Sequence, residues 1–513
     1  MAQEKPQVKA TLGLTGVTVN AMALIAPGAF LWITYQLQAA ATAPDGSSVA
    51  NDMWPGIVLA LILAFLTAYS YGELARIYPE AGFGSCYYFA EKAFLDRENA
   101  THHKWARLAK LITGWAAHLF YWVYPGVMVA MMATLLGYMW TAVTGGTLAM
   151  PVLFVICAVF SALVGYIAFR GVNGSTFTAL MINIVQITSL ILFSCLAIYY
   201  RWHNPEGVTT WGFSGIGDVM MPHSLQGVLV QSTIAILILV GFESCTALAA
   251  ETIDPHKNIP KGVILSLVIQ GLVCYLFEYA AACYMIGDKL TGTGPDGKAL
   301  LGMDAAAASS APIGDLAVQL GNTLLGGFGF GLMMTIAVTV ALAILGTTLS
   351  CFNTAVRVSY AMAQDKEMPE ILNVMHGQFA TPHRMIWVLV VVSALIGMIG
   401  VPSVVGLTGI GLASNFGTFV LYGLTCIWTI VAFAGRKDYN PIKHLVIPGV
   451  GLLLNIGMLA SILYLYIIGN ADAVHEAYIC FGIAGGWGVL SLIYVAVTSM
   501  RSGRPVIAAP RRA

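Results

Sequence analysis

Apolar positions along this chain fall into long unbroken runs rather than into the one-sided stripes of water-soluble helices. Twelve runs stand between charged or Pro/Gly punctuation, at 12–39, 54–77, 111–142, 149–169, 174–200, 225–249, 260–286, 321–364, 385–401, 403–434, 444–469 and 476–499. A helix needs about 20 apolar residues to cross a bilayer, and only helices or closed barrels satisfy their backbone groups there. The pattern therefore predicts an all-α integral membrane protein of twelve transmembrane helices, with tails at 1–11 and 500–513.

The first run ends in Ala-rich sequence, Ala39 to Ala43, that mimics a signal-peptidase site. It is nearly twice the length of a signal h-region and holds an internal Pro27-Gly28, so it is read as the first span. The eighth is too long for one crossing, and its end around Arg357 to Gln364 is expected to project from the membrane. The longest connection, Gly287 to Asn322, is expected to carry a short surface helix near Met303 to Ser310, and no run predicts a soluble domain.

An even number of spans puts both termini on one side. With the N-terminus inside, 21 of the 24 Lys and Arg fall on the inner side, counting those at the inner ends of the spans, and only Arg201, Lys289 and Lys298 fall on the outer side. The positive-inside rule then predicts a multi-pass protein of the cytoplasmic membrane with both termini cytoplasmic.

Composition agrees. Only 9% of residues are charged and mean hydropathy is +0.79, where a soluble chain of 513 residues would carry about 128 charged groups instead of 48. Zero net charge and the lack of a dense basic block disfavour a nucleic-acid partner. Nine scattered cysteines with no C-x-x-C pair read as small core hydrophobes, with no metal site or cofactor predicted.

Two spans are interrupted at matching places. Span one carries Ala26-Pro27-Gly28-Ala29-Phe30 and span six carries Gly241-Phe242-Glu243-Ser244, with Gly28 and Gly241 each 16 residues after the start of their run. Proline removes a backbone donor and glycine weakens a helix, so each segment can unwind, and unwound backbone at that depth must face protein or a wet cavity. Matched breaks in the first and sixth spans are what two five-helix inverted repeats produce, at 12–200 and 225–434, with a substrate site between the breaks and two further helices at 444–499. Glu243 adds weight, because an acid at mid-membrane costs about 2.5 kcal/mol or more and is a functional candidate by default; a structural carboxyl is the competing reading.

Three further motifs make the chain recognisable. Glu73-Leu74-Ala75-Arg76-Ile77-Tyr78-Pro79-Glu80-Ala81-Gly82 follows span two. Gly241-Phe242-Glu243-Ser244 leads through Glu251 into Asp254-Pro255-His256-Lys257-Asn258-Ile259-Pro260-Lys261. Arg357-Val358-Ser359-Tyr360-Ala361-Met362-Ala363-Gln364-Asp365-Lys366-Glu367-Met368-Pro369 precedes Thr381-Pro382. In this order they resemble the amino acid, polyamine and organocation transporter superfamily over essentially the whole chain. The resemblance implies a 5+5 inverted repeat with discontinuous helices one and six, and secondary active transport by alternating access.

Departures from the family bear on the substrate. Many members read Gly-Ser-Gly-Ile-Phe at the first break, where backbone N–H groups receive a carboxylate; here Pro27 has no N–H, although Gly28 and Ala29 do. In span five some proton-coupled members carry a lysine, and the matching residue here is Gln186, which does not titrate. Glu243, His118 and Glu278 are the remaining coupling candidates. His118 lies among Trp115, Phe120, Tyr121, Trp122 and Tyr124, as a pocket residue or a helix-contact residue.

The expected site comprises Ala26, Pro27, Gly28, Ala29, Gly241, Phe242, Glu243 and Ser244, with Asn353 from span eight. Glu243 is expected to meet a substrate ammonium group and Phe242 to act as a gate. The first reading is a permease for an amino acid, by proton symport or exchange; the alternative is an amine or polyamine carrier. An ion channel would need a repeated filter or rings of one charge. An enzyme would need a catalytic motif such as H-E-x-x-H or G-x-S-x-G, and none is present.

Overall fold

The computed structural model describes residues 10–25, 27–79, 85–95, 103–170, 176–203, 214–287, 289–294, 297–377, 379 and 381–502. Among them, eleven helical stretches are long and apolar enough to cross a membrane, and the first run adds a shorter apolar helix and a second helix directly after it. That run is α1 (Leu14–Ile25) and α2 (Pro27–Ala39). Then come α3 (Met53–Ile77), α4 (Cys86–Leu95), α5 (His103–Thr144), α6 (Met150–Phe169) and α7 (Thr176–His203). After a one-turn helix α8 (Ile216–Met220), the sixth run opens as α9 (Leu225–Ala235) and continues as a 3-10 stretch, Phe242–Glu251. The seventh is α10 (Pro255–Leu267), a π-helical stretch Val268–Tyr275 and α11 (Leu276–Met285).

The long connection that follows forms a small antiparallel hairpin, Thr291–Thr293 with Ala299–Leu301, and two helices, α12 (Gly302–Ala308) and α13 (Pro312–Leu324). The surface helix expected near Met303 to Ser310 is therefore α12. The eighth run begins later than the apolar pattern predicts. Gly326 and Gly327 both take positive φ, at +62° and +92°, which ends α13 and turns the chain into α14 (Gly329–Gln364). Remaining are α15 (His383–Gly400), α16 (Val404–Phe433), α17 (Ile447–Ile468) and α18 (Ala471–Ser502).

Helices α5 and α16 form the buried centre, and α18 lies at the edge with most of its surface open. At the end of the bundle that carries α4, Lys110 of α5 pairs with both Glu91 of α4 and Asp365 beyond α14. On that same end, the strand-like segment before α1 lies parallel to the end of the 3-10 stretch. Thr11 N–H donates to the Glu251 carbonyl at 2.9 Å, and Ile253 N–H donates to that of Leu12 at 2.8 Å.

Candidate substrate site

The first break falls between Ile25 and Pro27; Ala26 lies outside the described residues. A helix leaves its last four carbonyls without partners, and in α1 three of them are taken by side chains from elsewhere. Gln270 donates to the Met22 carbonyl at 2.9 Å, Thr347 to that of Ala23 at 3.1 Å and Tyr275 to that of Ile25 at 2.9 Å. Gln270 and Tyr275 sit on the π-helical stretch, whose wider turn is a frequent mark of a functional position. Pro27 opens α2, where its missing N–H costs nothing. Gly28 is buried, and its N–H makes a long bond of 3.4 Å to Oε1 of Gln186 on α7.

The second break is centred on Gly241, whose φ of +120° is open only to glycine without strain. A Cβ there would stand 2.8 Å from Cγ of Leu24, so the two interrupted helices touch at their breaks. Glu243 caps the break of its own helix. Its Oε2 accepts from Gly241 N–H at 3.0 Å and from the Tyr422 hydroxyl at 2.8 Å, while Oε1 accepts from the Tyr121 hydroxyl at 3.1 Å. The carboxyl thus joins the sixth run to α5 and α16. Phe242 is fully buried, with ring centroids 5.3 Å from Tyr422 and 6.1 Å from Tyr71.

Beside the breaks lies a cavity of about 420 Å³ between α1, α7, the 3-10 stretch and α14. Its polar lining includes Asn20, Gln186, Ser244 and Asn353. Toward the α4 end, Arg357 and Glu251 also line it, joined at 2.9 Å, and Arg357 donates to the Ala247 carbonyl at 3.0 Å. The deep part offers amides and hydroxyls with no net charge.

Of the residues singled out in the sequence, Gln186, Ser244 and Asn353 come together on this cavity, and Gly28 stands directly behind Gln186. Gly241, Phe242 and Glu243 form the packed layer behind it, and the Glu243 carboxyl is turned toward the tyrosines. Pro27 and Ala29 are described as helical backbone only. His118 is elsewhere: its Nε2 lies 2.9 Å from the Ser359 hydroxyl, and its ring packs on Trp122 and Trp487. Glu278 on α11 is fully buried, and neither carboxylate oxygen has a hydrogen-bond partner among the described residues. Asn20 and the Glu251–Arg357 pair escaped the sequence reading of the site, although Asn20 carries the same signal as Asn353, an amide inside an apolar run.

Apolar helices, two of their runs interrupted side by side at a polar cavity, define a membrane transporter rather than an enzyme. Residues 11–485 match the amino acid permease family, and the chain belongs to it. It is 25% identical to the methylthioribose transporter of Bacillus subtilis (strain 168) over 406 residues, 78% of this chain and 77% of that one. The branched-chain amino acid permease BcaP of the same organism is 25% identical over 445 residues, 80% of this chain and 83% of its own. A shorter match, 33% over 102 residues or 19% of this chain and 21% of the relative, is to the D-serine/D-alanine/glycine transporter of Escherichia coli (strain K12).

Proposed function

We propose that this permease carries an amino acid through the cavity beside the two breaks by alternating access, using a 5+5 inverted repeat from α1 to α16 with α17 and α18 added. Both termini face the cytoplasm in this reading, supported by 21 of 24 Lys and Arg on that side. The observation that carries it is the contact of the breaks, Gly241 against Leu24, beside a cavity lined by neutral polar groups. A solute of no net charge, as a zwitterion is, suits that lining. The amine or polyamine alternative needs an unengaged acid, whereas Glu243 already accepts three hydrogen bonds and Glu251 is paired with Arg357.

Coupling to protons, by symport or exchange, is best assigned to Glu278. The Glu243 carboxyl is held by three hydrogen bonds that fix the second break, while protonating Glu278 disturbs no hydrogen bond among the described residues. A second reading, a neutral polar solute such as a thiosugar, draws on Pro27 and on the Gly28 N–H being covered by Gln186, which leave the first break few donors for a carboxylate. The methylthioribose transporter among the relatives points the same way.

Purified protein in liposomes decides between these, with labelled neutral amino acids, amines and methylthioribose offered with and without a pH gradient or counter-substrate. Saturable counterflow of a neutral amino acid is expected. Uptake of methylthioribose alone would select the second reading, and uptake of amines alone would overturn both.

A further inference from the structure

The walls of the central cavity are not alike. Near the breaks they are polar, with Ser244 of the 3-10 stretch and with Gln186, which covers the Gly28 N–H. Along the seam between α7 and α14 the lining is Ala179 and Ile182 from one helix and Ala343 and Gly346 from the other. None of these four carries a polar side-chain atom, and three of them have at most a methyl group. The seam lies deep. Thr347, next to Gly346, donates to the Ala23 carbonyl close to the first break, whereas Arg357 at the mouth stands about three turns further along α14.

Gly346 is the informative member of this group. Glycine inside a helix is less stable than alanine, so an interior glycine calls for a reason. Elsewhere in the bundle that reason is close packing. A Cβ on Gly126 of α5 would strike Ile396 of α15, and one on Gly165 of α6 would strike Val390 of the same helix. At Gly346 a Cβ would meet only Cδ1 of Ile182, at 3.8 Å, an ordinary van der Waals contact. Its backbone is regular helix, and no described residue comes close enough to need the space. What the missing side chain enlarges is the cavity itself.

We infer that the α7–α14 seam takes the side chain of the transported amino acid, and that Gly346 sets how large that side chain can be. This rests on the amino acid reading of the cavity given above. The charged ends of the zwitterion stay on the polar side by the breaks, and the side chain passes over Gly346 to end against Ile182. A polar side chain would lose its water there without a replacement partner, whereas an aliphatic one gains by leaving water. The class selected is neutral amino acids with branched aliphatic side chains of about leucine's size. Alanine leaves the seam unfilled.

The test uses the purified full-length protein in liposomes, with KM for counterflow of labelled leucine and labelled alanine measured side by side. Wild type should favour leucine at least about tenfold, the discrimination that added methylenes earn in an apolar pocket. Gly346→Val puts two methyl groups into the seam and should cut that preference at least about tenfold, through the KM for leucine. Its thermal midpoint should not fall, since valine is no worse than glycine in a helix. Gly346→Ala, the smaller step, should move the preference the same way by about threefold, which reads the limit even if valine is not accommodated. Adding Ile182→Ala to Gly346→Val reopens the seam from α7 and should restore the preference for leucine. Wild type with no amino acid counterflow at all would overturn the amino acid reading and this inference with it. Amino acid counterflow without a preference for leucine, or with a preference that neither Gly346 variant moves, would overturn this inference alone.

Discussion

At the scale of single residues, Glu243 is the organising side chain of the second break. A carboxylate accepting from a backbone N–H and two tyrosines holds three elements in one geometry. Tyr422→Phe removes one donor and should destabilise the protein by about 2 kcal/mol, the scale of a hydrogen bond to a charged group, read as a lower thermal midpoint in detergent. Glu243→Gln keeps the shape but brings an NH₂ against donors, so it should lower the same midpoint by a comparable amount. Gly241→Ala meets both a φ of +120° and the Leu24 side chain, so its folded yield should fall severely in a size-exclusion assay. Gly241 and the acid after it were legible as a break because glycine and charge are conspicuous in an apolar run. The cap was not, since Tyr121 and Tyr422 lie 122 and 179 residues away and nothing local marks them as its donors.

Among the elements, two kinds of feature separate. Interruptions marked by Pro27-Gly28 and Gly241 could be read directly, because loss of a donor or of helix propensity is local chemistry. The start of the eighth run was missed although Gly326-Gly327 is a turn signal, because no charge or proline interrupts residues 321 to 331; the positive φ of both glycines divides α13 from α14 there. The mouth of the cavity is likewise a meeting of elements, Arg357 of α14 with Glu251 of the 3-10 stretch. Both side chains are about a quarter exposed, so solvent screening limits the pair to about 0.5–1 kcal/mol. If it holds the mouth closed, Arg357→Ala should raise maleimide labelling of a cysteine at Ser350, which lines the cavity, by about two- to fivefold. An unchanged labelling rate would remove the pair from any gating role.

For the whole molecule, transport requires that occupancy of the cavity and movement of an ion be linked. Glu278 lies outside the cavity lining, so its proposed role is energetic rather than in binding. Glu278→Gln should leave counterflow within about twofold of wild type while uptake driven by a pH gradient disappears. Retained gradient-driven uptake would take coupling away from α11. The central claim, that solute passes through the cavity beside the breaks, is tested most directly by Ser244→Trp. This substitution fills the cavity from its wall without touching the Glu243 cap. Counterflow of a labelled neutral amino acid by purified Ser244→Trp in liposomes should fall to the rate of protein-free vesicles while its thermal midpoint stays near that of wild type. Counterflow at the wild-type rate would show that the solute takes another path.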